Sequence, residues 1–211
     1  MKDLIIIGGG GFAKEVLWLA NDCNRKVIGV LDDNEETHQS IIQGSRVLGS
    51  ISSWVEYSDC EFVIAIGSPR TRFQVYEKML EKGNPQFSTL IHPSVKYSNT
   101  VEFGKGAIVC AGTILTVDVK VGNHNILNLN VTVGHECNFS DFVTIAPMAA
   151  VSGNVSLSKY VEIGTGALVR QGLSIGRGAM LGMGAILTKN ISELAVFAGN
   201  PAKKLKELSE I

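Results

Sequence analysis

From Val101 to Lys189 one apolar residue recurs at every sixth position without a break: Phe103, Val109, Leu115, Val121, Leu127, Val133, Phe139, Ile145, Val151, Leu157, Ile163, Val169, Ile175, Leu181 and Leu187. Two positions ahead of them stand residues that are mostly small or β-branched, such as Val101, Ala107, Val119, Val131 and Ala149, with Thr113 and Asn125 as polar exceptions. Glycine follows the recurring residue at 104, 122, 134, 164, 176 and 182. A period of six matches neither the 3.6 of an α-helix nor the alternation of an open strand. It is a repeat, and its physical solution is a parallel β-helix whose short strands turn a corner every hexad. Three hexads close one triangular coil, so the fifteen predict five coils, stacked roughly 4.8 Å apart as paired strands are. The recurring side chains would form columns inside, with glycine or small polar residues at corners that need positive φ.

The ninety residues before the repeat read differently. Lys2 to Gly8 is a buried strand, followed by four glycines and a helix with apolar Phe12, Val16, Leu19 and Ala20. Strands are expected at Lys26–Leu31, Glu61–Ile66 and Gln86–Ile91, with a polar loop after Asp33, a weak helix near Ser52–Tyr57 and an amphipathic helix over Ser68–Lys82. Alternating strand and helix predicts a small parallel sheet with crossover helices, about half of a doubly wound dinucleotide fold. Gly8-x-Gly10-x-x-Ala13 lies between strand and helix, with Asp32 about twenty residues on. Backbone N–H groups and a helix N-terminus there suit a phosphate, and the carboxylate suits ribose hydroxyls. The same glycines also suit a turn without a ligand. With the second mononucleotide half missing, a nucleotide carrying something else fits better than a nicotinamide dinucleotide. After Lys189 the hexads stop, and Val196–Lys203 passes into what reads as a short charged C-terminal helix ending at Ile211.

Composition narrows the function. With 19 basic and 20 acidic residues the net charge is −1, so no long-range field favours nucleic acid or an anionic membrane. The apolar run after Met1 is too short for a signal peptide and no later run reaches a membrane span, which places the chain in the cytoplasm. Cys23, Cys60, Cys110 and Cys137 are scattered, without CxxC pairs or histidine at ligand spacing, and read as reduced buried thiols; no metal site is expected.

Of the four histidines, His38 and His124 read as solvated, and His92, before Pro93, as a structural hydrogen-bonding group. His135 differs, because it falls at a coil corner between Gly134 and Glu136. A neutral imidazole there can accept a proton, and an adjacent carboxylate can fix its tautomer. From these residues alone, catalysis and an ordinary surface histidine are both open.

The glycine-rich half-domain, Ile91-His92-Pro93, hexads carrying Asn128 and Val133-Gly-His-Glu-Cys137, then Gly153-Asn-Val155 and Gly199-Asn-Pro-Ala-Lys203, resemble the hexapeptide-repeat sugar acetyltransferases that N-acetylate nucleotide-linked 4-amino-4,6-dideoxy sugars, and the related sialic acid O-acetyltransferases. The resemblance spans essentially the whole chain. It implies a Rossmann-like nucleotide-sugar-binding domain over residues 1–90 and a left-handed β-helix acetyltransferase domain over residues 91–211, in homotrimers with sites between subunits. It implies His135 as the base, Glu136 raising its basicity, and the N–H of Gly153 at the oxyanion. Asn128 would lie near the sugar. Gly10, Gly11, Phe12, Asp32, Asp33 and Gly67 would hold the nucleotide, and Thr144, Thr165 and Met183 would flank acetyl-CoA.

Two positions depart from the family pattern. Thr144 stands where a histidine nine residues after the base often contacts the acetyl donor, and Phe12-Ala13 stands where His-Gly often ends the glycine loop. The leading expectation is acetyl transfer to the amine of a UDP-4-amino-4,6-dideoxy sugar or its like, for bacterial surface glycans. The alternatives are transfer to a sugar hydroxyl, as of a sialic acid, and a β-helix trimer without catalysis.

Overall fold

The structure, a computed structural model, describes residues 2–210. The N-terminal part contains β1 (Leu4–Ile7), α1 (Gly11–Asp22), β2 (Val27–Leu31), β3 (Ile41–Ile42), β4 (Ser45–Gly49), β5 (Glu61–Ile64), α2 (Pro69–Leu80) and β6 (Gln86–Phe87). Their sheet runs in the order β3-β4-β2-β1-β5-β6. All pairings are parallel except the β3–β4 hairpin. β1 is apolar throughout because both its faces are covered: Leu4 and Ile6 pack with α1, while Ile5 and Ile7 pack with Trp54, Val75 and Met79.

Three local expectations change. The polar loop after Asp33 contains the β3–β4 hairpin, whose two turn residues Gln43 and Gly44 both have positive φ, at 46° and 78°; this is the geometry of a two-residue turn between twisted strands. The weak helix is a 3₁₀-helix over Ile51–Tyr57. The stretch Gln86–Ile91 is two strands: β6 completes the α/β sheet, and β7 (Leu90–Ile91) opens the coil.

From β7 to β23 (Ile186–Leu187) every hexad supplies one two-residue strand, so the coil begins before Val101. The strands stack into three parallel sheets, each strand pairing with the one eighteen residues on, as Ile108 does with Ile126. Face I starts at Leu90–Ile91, face II at Lys96–Tyr97 and face III at Glu102–Phe103. The inward columns form one continuous core from Val109 to Leu187, and the small residues two positions earlier are buried with them.

Glycines serve two purposes here. Those following the columns need no positive φ; a side chain at Gly104 would stand 2.5 Å from the carbonyl carbon of Gly122 one coil away, and one at Gly164 would stand 2.5 Å from the amide nitrogen of Met183. Close stacking of coils excludes a β-carbon there. Positive φ falls on the sixth position of every hexad from Gly106 to Gly184, and only some of these residues are glycine or small and polar. Phe142, Met148 and Tyr160 adopt it as well, at 59°, 60° and 65°, against the expectation for the corners.

Packing explains two of these large corner residues. His124, Phe142 and Tyr160 stack on the ridge between faces III and I, where Phe73 and Tyr76 of α2 and Phe87 of β6 close around them. His124 is therefore buried, not solvated as its asparagine neighbours suggest. Its ring lies 5.0 Å from that of Phe142 at 10°. Burial, with Arg72 nearby, lowers its pKa to about 4. On the other side of the sheet, α1 is sandwiched between β1, β2 and the outward side chains of face I, Leu90, Ile108 and Ile126.

The expected C-terminal helix is absent. After β24 (Ala195–Ala198), which extends face I, the chain turns and Lys203–Glu207 forms β25, antiparallel to β24. All five residues of β25 are exposed, so no apolar stripe holds a helix, and the open edge of face I supplies the hydrogen-bonding partner. Ile211, where that helix was expected to end, lies outside the described residues. Among the described residues no helix is long and apolar enough to cross a membrane.

Candidate active site

Two constellations are candidates to carry the chemistry. The first is the crevice at the carboxyl ends of β1 and β5, where the chain order of the sheet reverses, the usual ligand position in such sheets. Gly8 turns the chain with φ 99°. Gly10 caps α1 without help from any side chain, and the first turn carries no acid. Gly10, Gly11 and Gly67 face open space, since a β-carbon on any of them would meet nothing within 4 Å. An uncapped helix start beside bare glycines is suited to phosphate.

Asp32 borders this crevice and Asp33 follows it, but both carboxylates are already engaged. The Asp32 carboxylate accepts from the N–H groups of Gly9 and Asn34, and Asp33 Oδ1 accepts from Ile51 N at 2.9 Å. They shape the loops around the crevice. Phe12 is half-buried against the α1 core. Ile42 of the hairpin abuts Gly9, its Cδ1 lying 3.2 Å from where a β-carbon would be, so the hairpin flanks the glycine loop.

The second constellation is on the ridge between faces II and III. His135 Nδ1 lies 2.9 Å from Glu136 Oε2, and both side chains are more than half exposed. Since a carboxylate only accepts, the neutral imidazole in this contact is the tautomer with its proton on Nδ1 and its lone pair on Nε2. Gly153 stands one coil further on at the same ridge position, so close to the imidazole that a β-carbon there would collide with Nε2, Cε1 and Cδ2. Among the described residues no hydrogen bond is made by the Gly153 N–H. The imidazole thus sits against a glycine whose backbone N–H has no partner among the described residues.

Asn128, Thr165 and Met183 lie elsewhere, on the ridge between faces I and II. Thr165 and Met183 are stacked one coil apart, joined by Gly184 N to Thr165 O at 2.8 Å, and Met183 is 77% exposed. Asn128 is half-buried, its Oδ1 accepting from Leu129 N at 2.7 Å. Face II, with Ile114, Thr132, Ala150, Leu168 and Ile186 outward, separates this ridge from His135 on the same chain.

Comparison with known proteins decides what these pieces belong to. A family model described as the PglD N-terminal domain matches residues 3–79. A GDP-perosamine N-acetyltransferase of Escherichia coli O157:H7 is 31% identical over 162 residues, which are 71% of this chain and 70% of that protein. Among solved structures, the acetyltransferase domain of PglB from Neisseria gonorrhoeae superposes with TM-score 0.89 at 32% identity, covering 97% of this chain and 100% of that one. PerB of Caulobacter crescentus, in complex with CoA and GDP-perosamine, gives 0.89 at 28%, covering 98% of each. The chain belongs to the hexapeptide-repeat nucleotide-sugar N-acetyltransferases. It is an acyltransferase, and its coil is the left-handed parallel β-helix of that family.

Within this acetyltransferase one expected donor contact is displaced. Thr144 is 8% exposed and faces α2 from face I. Its hydroxyl donates to Gly67 O at 2.7 Å and accepts from Arg72 Nη2 at 3.0 Å. It therefore lines no groove along the coil, because the α/β part covers it. Arg72 itself was missed by sequence reading, being one of several charges on an amphipathic helix. Its guanidinium is 1% exposed, and burial lowers its pKa to about 9. The cysteines are free, with Cys110 pushed up to about 12 by burial. Among the described residues no cluster of side chains suits a metal ion.

Proposed function

We propose that this enzyme transfers the acetyl group of acetyl-CoA to the amine of a nucleotide-linked amino-dideoxy sugar, with a 4-amino-4,6-dideoxy sugar as the acceptor class. The observation that carries the reading is the His135–Glu136 pair seated against Gly153. The amine nitrogen attacks the thioester carbonyl carbon as Nε2 of His135 removes its proton. The imidazolium so formed is stabilised by Glu136 across the 2.9 Å contact, and the oxyanion is stabilised by the Gly153 N–H. Collapse expels the CoA thiolate, which takes the proton from Nε2, and leaves the amide.

Residues 1–90 are the nucleotide-sugar domain and residues 91–211 the transfer domain. Phosphates lie at Gly10, Gly11 and the Phe12 N–H, with Gly67 on the opposite wall and Asp32 and Asp33 holding the rim. Acetyl-CoA follows the ridge of Thr165 and Met183, with Asn128 toward the sugar. Because one chain holds that ridge and the His135 ridge on opposite borders of face II, the site is completed in a homotrimer that brings one copy's His135 to its neighbour's donor ridge. Ile114 and Leu168, 43% and 44% exposed on face II, supply apolar surface for that contact. The reaction belongs to the cytoplasm, where both substrates are made.

The direct test mixes the purified protein with acetyl-CoA and UDP- or GDP-linked 4-amino-4,6-dideoxy sugars, following thiol release and the mass of the acceptor. Release with a mass gain of one acetyl group on a single carrier supports the reading and names the nucleotide. Turnover on sialic acid but on no amine would replace it with O-acetyl transfer. Thermal stabilisation by acetyl-CoA and by one of UDP, GDP or CMP is expected alongside, since ligands that bind only the native state raise its stability.

A further inference from the structure

Arg72 makes every hydrogen bond its side chain allows. Nη1 donates to Ile66 O at 2.7 Å and Gly67 O at 2.9 Å. Nε donates to His124 O at 2.9 Å, and Nη2 to Val143 O at 3.2 Å and Thr144 Oγ1 at 3.0 Å. Two acceptors are on the loop after β5 and three are on the coil, so one rigid fork fixes the two parts relative to each other. None of these acceptors is a carboxylate. A buried guanidinium without a direct counter-ion carries a desolvation cost that an apolar side chain would avoid, so adhesion alone does not account for it.

What the fork adds is geometry. The Gly67 carbonyl accepts twice, from Arg72 Nη1 and from Thr144 Oγ1, which fixes the peptide plane from the coil side. The α-carbon of the same residue faces open space across the crevice from Gly10 and Gly11.

We propose that Arg72 and Thr144 are positioning residues that lock the Gly67 wall of the nucleotide-sugar crevice to the β-helix, preorganising that crevice to bind the nucleotide sugar. This rests on the crevice being the nucleotide-sugar site. It gives Thr144 a role on the acceptor side, where the resemblance to the family implies a donor contact.

Thr144→Val removes the hydroxyl while keeping the β-branched shape suited to a strand, and Thr144→Ser restores the hydroxyl. In steady-state kinetics of the intact enzyme, Thr144→Val should raise KM for the nucleotide sugar about three- to tenfold, the equivalent of one lost hydrogen bond. KM for acetyl-CoA and kcat should stay within about twofold, and Thr144→Ser should return the acceptor KM toward wild type. Amide hydrogen exchange of the unliganded protein should be faster across Ile66–Ser68 in the valine variant. An unchanged acceptor KM in an active variant overturns the lock alone. A rise in the acetyl-CoA KM instead also overturns it, by returning Thr144 to the donor side. A wild-type enzyme that acetylates none of the nucleotide-linked amines overturns the function and the lock with it.

Discussion

His135 and Gly153 touch across one coil of the β-helix: the imidazole occupies the volume that any side chain at 153 would need. The contact explains why glycine is required where φ does not demand it, since Gly153 is not among the residues with positive φ. Gly153→Ala should fold normally but displace the imidazole from the proposed oxyanion donor. We expect kcat to fall at least tenfold while thermal unfolding of the unliganded protein shifts by no more than a few degrees. An alanine variant with wild-type kcat would show that the contact plays no part in turnover.

His135→Ala should lower kcat by about 10²–10⁴, the usual worth of general base catalysis, with little change in stability because the side chain is exposed. Glu136→Gln keeps a hydrogen-bond acceptor for Nδ1 but removes the charge, so its loss should be smaller. Stopped-turnover measurements of CoA release across pH would separate the two. Near-normal turnover of the alanine variant would remove His135 from the mechanism.

His124 titrates against folding. Its pKa in the native state, about 4, lies below the ordinary value of about 6.5, so in the interval between them the unfolded chain binds the extra proton. Stability is complete above about pH 6.5 and declines by about 1.4 kcal/mol per unit as pH falls toward the native value. Arg72 adds to the depression and Asp141 opposes it. His124→Asn tolerates the corner's φ of 53° and cannot titrate. Its unfolding free energy in urea should change between pH 7 and pH 5 by about 2 kcal/mol less than that of the wild type. Parallel pH dependences would rule out His124 as the source.

Leu168→Glu places a charge on the outward surface of face II. The proposed trimer should dissociate, with sedimentation giving the monomer mass and acetyl transfer lost while the circular dichroism of the β-helix persists. A variant that remains oligomeric and active would move the subunit contact to another face.

Gly104→Ala and Gly184→Ala probe the two uses of glycine. At 104 the methyl group would meet backbone 2.5 Å away, forcing coils apart at a cost of about 1–3 kcal/mol. At 184 the space is open and φ is 63°, so the cost is conformational, about 1 kcal/mol. Denaturant midpoints that rank the two the other way round would refute the close-stacking account.

The β-helix was legible in the sequence because its rule is local arithmetic. Each third hexad position points inward whatever lies elsewhere, so Phe103 to Leu187 had to be apolar, and the glycine run after β1 announced itself for the same reason. His135 and Glu136 were legible as neighbours. Their partnership with Gly153 followed from resemblance until the coil stacked one residue on the other. The β3–β4 hairpin was hidden because Ile41–Ile42 is too short to show a period. Lys203–Glu207 became a strand because β24 offered an edge, information absent from its own residues. His124 looked solvated beside Asn123 and Asn125, yet Phe142, eighteen residues on, and Tyr76 and Phe87 from the other part of the chain bury it. Arg72 and Thr144, seventy-two residues apart, meet only where α2 lies on face I. The sequence alone therefore determined each element whose burial repeats along the chain, and tertiary structure decided every group whose environment comes from distant segments, because burial and hydrogen-bond satisfaction depend on neighbours in space.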